Sequence, residues 1–494
     1  MTLREILNGV QLKAALPENS RSLQVTGLEY DSRRVEPGFL FFAFPGAKVD
    51  GREFAQQAVN KGAIAVASEL AAPADFWGTW IEVEHGRRAL AAASRTFYGK
   101  PDERLGLTGI TGTNGKTTTA FLTDAVLRSA GKTTALVGTI EYRLAGEVRT
   151  AVNTTPESLD LYRIFHELEQ AGGTHATLEV SSHALALDRV YGTTFHTAVF
   201  TNLTRDHLDF HQTMEDYFAA KLLLFQPKDS PPPRWAVINA DDSYGQRIQT
   251  AVETQVLKYG FSEAADLRGS DLEMDFSGLR FTVEHGNKKV RLSSTLVGKI
   301  NAYNIMAACG AALSYGFDWP TTAAGIAECK HVPGRFESID EGQPFMVVVD
   351  YAHTDDALRN VISVARELGP KRVITLFGCG GDRDRTKRPL MGMAAGQGSD
   401  FVVLTSDNPR SEDPLGIMND ALVGLRRFDV PHIVEPDRAK AIRAALEEAK
   451  SGDIVILAGK GHETYQVLKD RVIDFDDREV ARAVLHGAGL GAKG

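Results

Sequence analysis

Short apolar runs bounded by turn residues recur along the chain, and most are followed by a stretch with helical spacing. FLFFAF at 39–44 reads as a buried strand, FAQQAVNKGA at 54–63 as a helix and AIAVAS at 63–68 as a second strand. Runs of this length suit strands covered on both faces, whereas apolar residues three and four apart suit an amphipathic helix. A second series opens after Lys100-Pro101 with LGLTGI at 105–110, a Gly-rich turn and the helical TTAFLTDAVLRSAG at 118–131. It continues through strand candidates TALVGTI at 134–140, ATLEVSS at 176–182, TAVFTNL at 197–203 and WAVINAD at 235–241. A third series runs FMVVVDYA at 345–352, RVITLFGC at 372–379, FVVLTSD at 401–407 and DIVILAG at 453–459, again with helices between. Such alternation predicts an α/β fold of mostly parallel sheets with helices on both faces. The last break is placed at Pro333-Gly334, after the helical segment 303–329.

Length sharpens this picture, because 494 residues exceed what one core of roughly 100 to 200 residues accommodates. Three domains are expected, 1–98, 99–334 and 335–494. With 55 basic against 64 acidic residues the net charge is -9, so no global positive field awaits a nucleic acid and any phosphate site must be local. Cys309, Cys329 and Cys379 lie far apart without CxxC spacing, which indicates neither a disulfide framework nor a zinc site. The N-terminal MTLREILNGVQL lacks a signal-peptide core, and no apolar run is long enough to span a bilayer. A soluble cytoplasmic protein, without membrane or nucleic acid partner, is expected.

The strongest chemical signal is GITGTNGKTT at 109–118, set between a predicted strand and helix. Backbone N–H groups of Gly112, Thr113, Asn114 and Gly115 and of the helix start at Thr117 and Thr118 suit phosphate oxygens. Lys116 suits their charge, and the Thr117 hydroxyl suits Mg²⁺. The strict P-loop pattern asks for Gly where this chain has Ile110, so the general pattern is not fully met. ATP fits best, although a kinase, a GTPase or a motor would use the same loop.

The whole string GITGTNGKTT resembles the phosphate loop of the Mur ligase family, and the likeness extends over nearly the full chain. It implies an N-terminal UDP-substrate-binding domain, a central P-loop ATPase-type domain and a C-terminal Rossmann-like domain that receives an amino acid. In EVSSH at 179–183 and TNLTRDHLDFH at 201–211, Glu179 and His207 follow successive strands. Taken singly they read as a strand-end carboxylate and a loop histidine; the family likeness makes them metal ligands. Lys221, in MEDYFAAKLLLF at 214–225, has small and apolar neighbours. The general exposure of lysine favours a snorkelling surface residue, whereas the resemblance implies a carbamate that joins Thr117, Glu179 and His207 around Mg²⁺, with two ions expected. Asn301 and Asn304 of LVGKINAYNIMAA stand at i, i+3 near a helix start, so one caps the helix while the other reads adenine, and the sequence does not rank them. By the same likeness Arg335 of VPGRFE reaches the γ-phosphate and Asp350 of VDYAHT takes the ATP ribose, with Asp355 standing where the family commonly has proline.

YDSRRVEPGFLFFAFPG at 30–46 resembles the family's UDP-recognition segment, with Ser32 as the uracil contact. Asn153, Thr154 and Thr155 of NTTP, Ser181, and Arg189 of LALDRV are implied to hold the muramyl dipeptide or its pyrophosphate; the hydroxyls equally suit turns and caps. Leu187 replaces a polar contact of some relatives, and that contact is not carried over. FGCGGDRDRTKRP at 377–389, SDNPRSEDP at 406–414 and AGKGHETYQ at 458–466 follow three strands, and loops at strand C-terminal ends form the crevice of an open α/β sheet. Arg383, Asp407, Asn408, Pro409, Arg410, Gly459 and Glu463 resemble the amino-acid pocket of the diaminopimelate-adding branch, the Arg410 guanidinium being suited to a distal carboxylate. Asp-Asn-Pro-Arg also suits a plain strand-end turn. The expected activity is ATP-dependent ligation of meso-diaminopimelate to UDP-N-acetylmuramoyl-L-alanyl-D-glutamate through an acyl phosphate, in peptidoglycan precursor synthesis, by a monomer. Folylpolyglutamate synthase is the nearest rival enzyme and lacks the UDP-recognition and DNPR strings; a silent nucleotide-binding regulator would lack Lys116, Glu179, His207 or Lys221.

Overall fold

Four strands of three or four residues form the first sheet of the computed structural model, which describes residues 1–46 and 49–487. They are β1 (Gly27–Glu29), β2 (Phe39–Phe42), β3 (Ala65–Ser68) and β4 (Trp80–Glu82), all parallel and in sequence order. Leu28, Leu40, Phe42, Ala65 and Ile81 fill one face with Leu90 of the helix Gly86–Phe97, while Phe41 and Val66 enter a cluster on the other. Both faces are covered, which is why these strands read as continuous apolar runs.

The chain then builds β5 (Gly106–Thr111), β6 (Thr134–Val137), β7 (Glu141–Leu144), β8 (Glu147–Thr150), β9 (His175–Glu179), β10 (Thr197–Phe200), β11 (Trp235–Asn239) and β12 (Gln255–Gly260). Their order is β12-β11-β10-β5-β9-β6-β7-β8, parallel from β12 to β6 and antiparallel through the last two. β5 lies between β9 and β10, so the loops leaving these three strands converge. The β7–β8 hairpin was not expected from the run at 134–140. Its strands alternate polar and apolar residues around Ala145-Gly146, which both take positive φ, as a tight hairpin requires. The expected helical segment 303–329 is two helices, Lys299–Ser314 and Trp319–Glu328, separated by Gly316 at φ +77.

Two compact units divide the chain: Met1–Arg268 with Asn304–Gly325, and Gly269–Tyr303 with the chain from Ile326 onward. Three strands absent from the sequence reading follow β12: β13 (Leu267–Asp275), β14 (Gly278–His285) and β15 (Lys288–Ser294), the last two an antiparallel pair in the second unit. The second unit also holds β16 (Glu337–Ile339), β17 (Met346–Asp350), β18 (Val373–Cys379), β19 (Phe401–Ser406), β20 (His432–Glu435) and β21 (Ile454–Ala458), in the order β16-β17-β21-β18-β19-β20. All pairings but β16–β17 are parallel. Alternate residues face two separate cores: Val348, Phe377, Leu404 and Ile456 one way, Val349, Leu376, Val403 and Leu457 the other. Among the described residues no helix is long and apolar enough to cross a membrane.

Candidate active site

At the end of β5 the chain must turn tightly against β10, and glycine makes this possible. A Cβ on Gly112, at φ +151, would collide with Thr201 Oγ1, and one on Gly115, at φ +85, with Asn304 Oδ1. The loop is strapped to the segment after β10: Thr113 N donates to Asn202 O (2.8 Å), Asn114 N to Asn202 Oδ1 (3.0 Å), and Thr201 Oγ1 to Asn114 O (2.7 Å). The helix Lys116–Ser129 begins at Gly115 without a side-chain cap, so its first N–H groups face the loop as an anion site does. Thr118 is buried in that first turn.

Two ammonium groups meet on one carbonyl. Lys116 Nζ donates to Gly112 O (2.9 Å) and Thr113 O (2.8 Å), and Lys221 Nζ donates to the same Gly112 O (2.8 Å). Lys221 is only 1% exposed and its ammonium lies 4.5 Å from the centre of the Tyr217 ring. Burial first, and the charge of Lys116 second, push its pKa well below the ordinary lysine value. The surface lysine that residue type favours is thus a core residue here. Thr117 Oγ1 donates to Glu179 Oε2 (2.9 Å), and Thr139 donates to both carboxylate oxygens from its backbone N (2.8 Å) and its hydroxyl (3.1 Å).

His207 stands at φ +54, with Nε2 3.5 Å from Asp206 Oδ2. Burial, with help from His183, Lys116 and Lys221 and against Asp206, lowers its pKa to about 4, leaving a neutral imidazole with a lone pair at neutral pH. His183 packs 4.9 Å from His207 and 5.5 Å from His211, whose Nε2 meets Ser182 Oγ at 2.9 Å. Tyr217 reaches Thr113 Oγ1 with its hydroxyl (3.2 Å). Thr139, Asn202, His183, His211 and Tyr217 went unnoticed in the sequence because each matters through a contact distant along the chain.

On the other side of Glu179, Thr155 Oγ1 donates to Glu179 O (2.7 Å) and accepts from Ser181 N (3.1 Å), while Arg189 Nη1 donates to Thr155 O (2.9 Å). Thr154 Oγ1 meets Thr139 Oγ1 at 3.1 Å, and Asn153 N donates to Tyr142 OH at 3.1 Å. Arg189 and Arg87 both bind Glu157 Oε1, at 3.0 and 2.5 Å. The Asn153 to Thr155 run, Ser181 and Arg189 are therefore gathered beside Glu179. Ser181 Oγ also caps the helix Ser182–Ala186 by accepting from Ala184 N (3.1 Å), the capping role that a serine before a helix suits. Ser32 is instead held in the N-terminal sheet module, donating to Gln57 Oε1 at 2.9 Å. Asn304 Oδ1 accepts from Thr119 Oγ1 (3.4 Å), in contact with the phosphate loop.

In the second unit Asn301 Nδ2 donates to Val297 O (2.7 Å). Asp350 closes β17 with its carboxylate on Phe336 N (2.7 Å) and Ala352 N (2.9 Å), and burial holds its pKa above the usual carboxylate value. The Arg335 guanidinium lies 5.1 Å from the Tyr351 ring centre. Loops after β18, β19 and β21 meet as their topology demands: Gly381 N donates to Asn408 O (2.9 Å), and Arg410 Nη1 donates to Gly381 O (2.8 Å). A Cβ on Gly380 would stand 3.0 Å from Arg410 Nη1 and 3.7 Å from Arg383 Cγ, and one on Gly381 would strike Pro409 O. Arg410 holds φ +51, a strained setting for a non-glycine residue. Asn408 Nδ2 donates to Glu463 Oε2 (3.0 Å), and Gly459, at φ +116, borders the Asp407 carboxylate. Of the basic run after β18, Arg388 is a buried structural residue on Glu412 (2.7 Å) and Asp420 (2.9 Å). Arg438 was missed in the sequence. It is fully buried on Asp477 (2.6 Å) and donates to Ser406 O (3.3 Å) and Ala458 O (3.0 Å), pinning the ends of β19 and β21.

Comparison with known proteins gives a consistent set of likenesses. The Mur ligase family, catalytic domain, matches residues 24–98, the Mur ligase middle domain 110–312 and the Mur ligase glutamate ligase domain 334–461. UDP-N-acetylmuramoyl-L-alanyl-D-glutamate--2,6-diaminopimelate ligase of Solibacter usitatus is 67% identical over 489 residues, covering 99% of both chains. A solved structure of a ligase of the same name is 33% identical with TM-score 0.70, covering 99% of both chains. A MurF ligase from Thermotoga maritima in complex with ADP shares the fold at 19% identity and TM-score 0.62, covering 89% of this chain and 94% of its own. With three family domains matched in order and a relative two-thirds identical along its whole length, the chain belongs to the Mur ligase family.

Proposed function

We propose that the chain ligates meso-2,6-diaminopimelate to UDP-N-acetylmuramoyl-L-alanyl-D-glutamate, using ATP, through an acyl phosphate. The observation that carries this reading is the full-length likeness to ligases of that name, joined to a phosphate loop on which two lysines and a Thr117–Glu179 pair converge. The substrate γ-carboxylate attacks the γ-phosphorus, ADP leaves, and the amine of the amino acid then attacks the acyl carbon and releases phosphate. Lys116 and the loop N–H groups neutralise the phosphate charge that moves in the first step. Asn153, Thr154, Thr155, Ser181, Arg189 and Ser32 are assigned to the UDP-linked substrate; Asn301, Asn304, Arg335 and Asp350 to ATP. Arg383, Asp407, Asn408, Pro409, Arg410, Gly459 and Glu463 are assigned to the amino acid. The proposed division into 1–98, 99–334 and 335–494 follows these three tasks.

The residues present fit Mg²⁺. Thr117 and Glu179 offer hard oxygen donors 2.9 Å apart. That suits an ion which takes one or two carboxylates and completes its shell with phosphates and water. Thr117, Glu179, His207 and Lys221 would hold two such ions, which supply charge neutralisation at the phosphates. Lys221 serves as an anion in this reading: its neutral amine adds to CO₂, forming an N–C bond and losing a proton.

Phosphate release is expected only when ATP, the UDP-muramyl dipeptide and meso-diaminopimelate are all present, with L-lysine a poor replacement. Release without the other substrates would identify an uncoupled NTPase, and equal use of lysine would reject the proposed amino acid.

A further inference from the structure

Lys460, in the loop that leaves β21, is fully buried at 0% exposure. Its Nζ lies 3.2 Å from Glu463 Oε2, 3.4 Å from Asn408 Oδ1, 3.7 Å from Asp407 Oδ1 and 5.8 Å from the Tyr465 ring centre. An ammonium removed from water is costly unless anions and acceptors surround it, and these groups do so. The same contacts fix the pocket's polar atoms. Asn408 Oδ1 accepts from Lys460 and from Val467 N (2.9 Å), which turns its Nδ2 onto Glu463 Oε2 (3.0 Å). Glu463 Oε2 is then bound twice, while Oε1 accepts nothing from the described residues. Asp407 Oδ1 is buried without a hydrogen-bond donor, and Asp407 Oδ2 lies 3.3 Å from where a Cβ of Gly459 would stand. A buried carboxylate oxygen without a hydrogen bond calls for a donor, and an N–H group of a bound amino acid would supply one.

Charge adds a second argument. Lys460 sets a positive charge beside the Asp407 and Glu463 carboxylates, which without it would repel a further substrate carboxylate. An amino acid with two carboxylates, one ammonium and a neutral reacting amine carries one negative charge; lysine in the same state carries none.

Resting on the proposed amino-acid pocket, we propose that Lys460 is a positioning and specificity-determining residue. It orients Asn408 and Glu463 so that Glu463 Oε1 and Asp407 Oδ1 meet the substrate ammonium, and its positive charge beside those two carboxylates favours a dicarboxylic diamino acid over a monocarboxylic one.

The test uses the full chain with Lys460→Met and Lys460→Gln, the latter keeping a donor for Glu463 should the former not fold. Initial rates are measured while ATP, the UDP-muramyl dipeptide, meso-diaminopimelate and L-lysine are varied in turn. KM for meso-diaminopimelate is expected to rise about 30-fold or more, as when one partner of a buried charge pair is removed. KM for ATP and for the UDP-linked substrate should stay unchanged, and the preference over lysine should shrink in both variants. A folded variant with unaltered KM and preference overturns the inference, as does a parallel rise of all KM values, which would mark a purely structural lysine. Failure of the wild type to use either amino acid would instead overturn the proposed function and the Lys460 role with it.

Discussion

The Gly112 carbonyl accepts from two lysines, Lys116 at 2.9 Å and Lys221 at 2.8 Å, and this one contact separates what each residue type announces from what its place imposes. Lys116 was legible because a Gly-Lys-Thr string between strand and helix has few other uses. Lys221 was not, because lysines are generally exposed and only burial beside a second ammonium lowers its pKa. Replacing Lys221 by Ala is expected to abolish ligation, and acetate is expected to restore part of it by standing in for the lost anion. Phosphate release with and without acetate checks this, and full activity of the variant in CO₂-free buffer would remove the carbamate from the mechanism.

At the level of elements, parallel strands bring loops together and glycines bring helices together. The helices Lys387–Gly398 and Pro414–Leu425 cross where Gly392 meets Ala421 O and Gly424 meets Pro389 O, with no room for a Cβ at either point. Gly424→Ala forces the helices apart, so a loss of about 1 to 3 kcal/mol is expected, the usual range for overpacking. Urea unfolding reads it directly; an unchanged midpoint would mean that the crossing yields freely. The loop clusters were readable from strand order, whereas β13, β14 and β15 were not. Their polar-apolar alternation, as in Leu-Glu-Met-Asp and Arg-Phe-Thr-Val-Glu-His, lacks the continuous apolar signature by which the strands at 105–110, 345–352 and 453–459 were read.

Across the whole molecule, burial lowers His175, His196, His207 and His462 to about 4 from an ordinary 6.5. A histidine whose folded pKa lies below its unfolded one takes up a proton on unfolding, so stability falls as pH falls. The contribution is complete above the unfolded value of 6.5 and drains away as pH drops toward 4. Thermal midpoints measured from pH 7 downward are expected to decline through that window, with net proton uptake on unfolding; a flat profile would show that these rings titrate normally in the folded state.

The sequence alone determined the α/β class, the repeated strand and helix order, the phosphate loop and the family, because each is written in local spacing or in a contiguous string. Tertiary structure alone decided which polar residues are buried together. Thr117 and Glu179 meet across 62 positions, Asn408 and Glu463 across 55, and Arg438 and Asp477 across 39. No local period encodes such meetings: they follow from strand order, which sets neighbours in the sheet, and from the closing of loops over strand ends, which withdraws the water that a lysine such as Lys221 or Lys460 would otherwise keep.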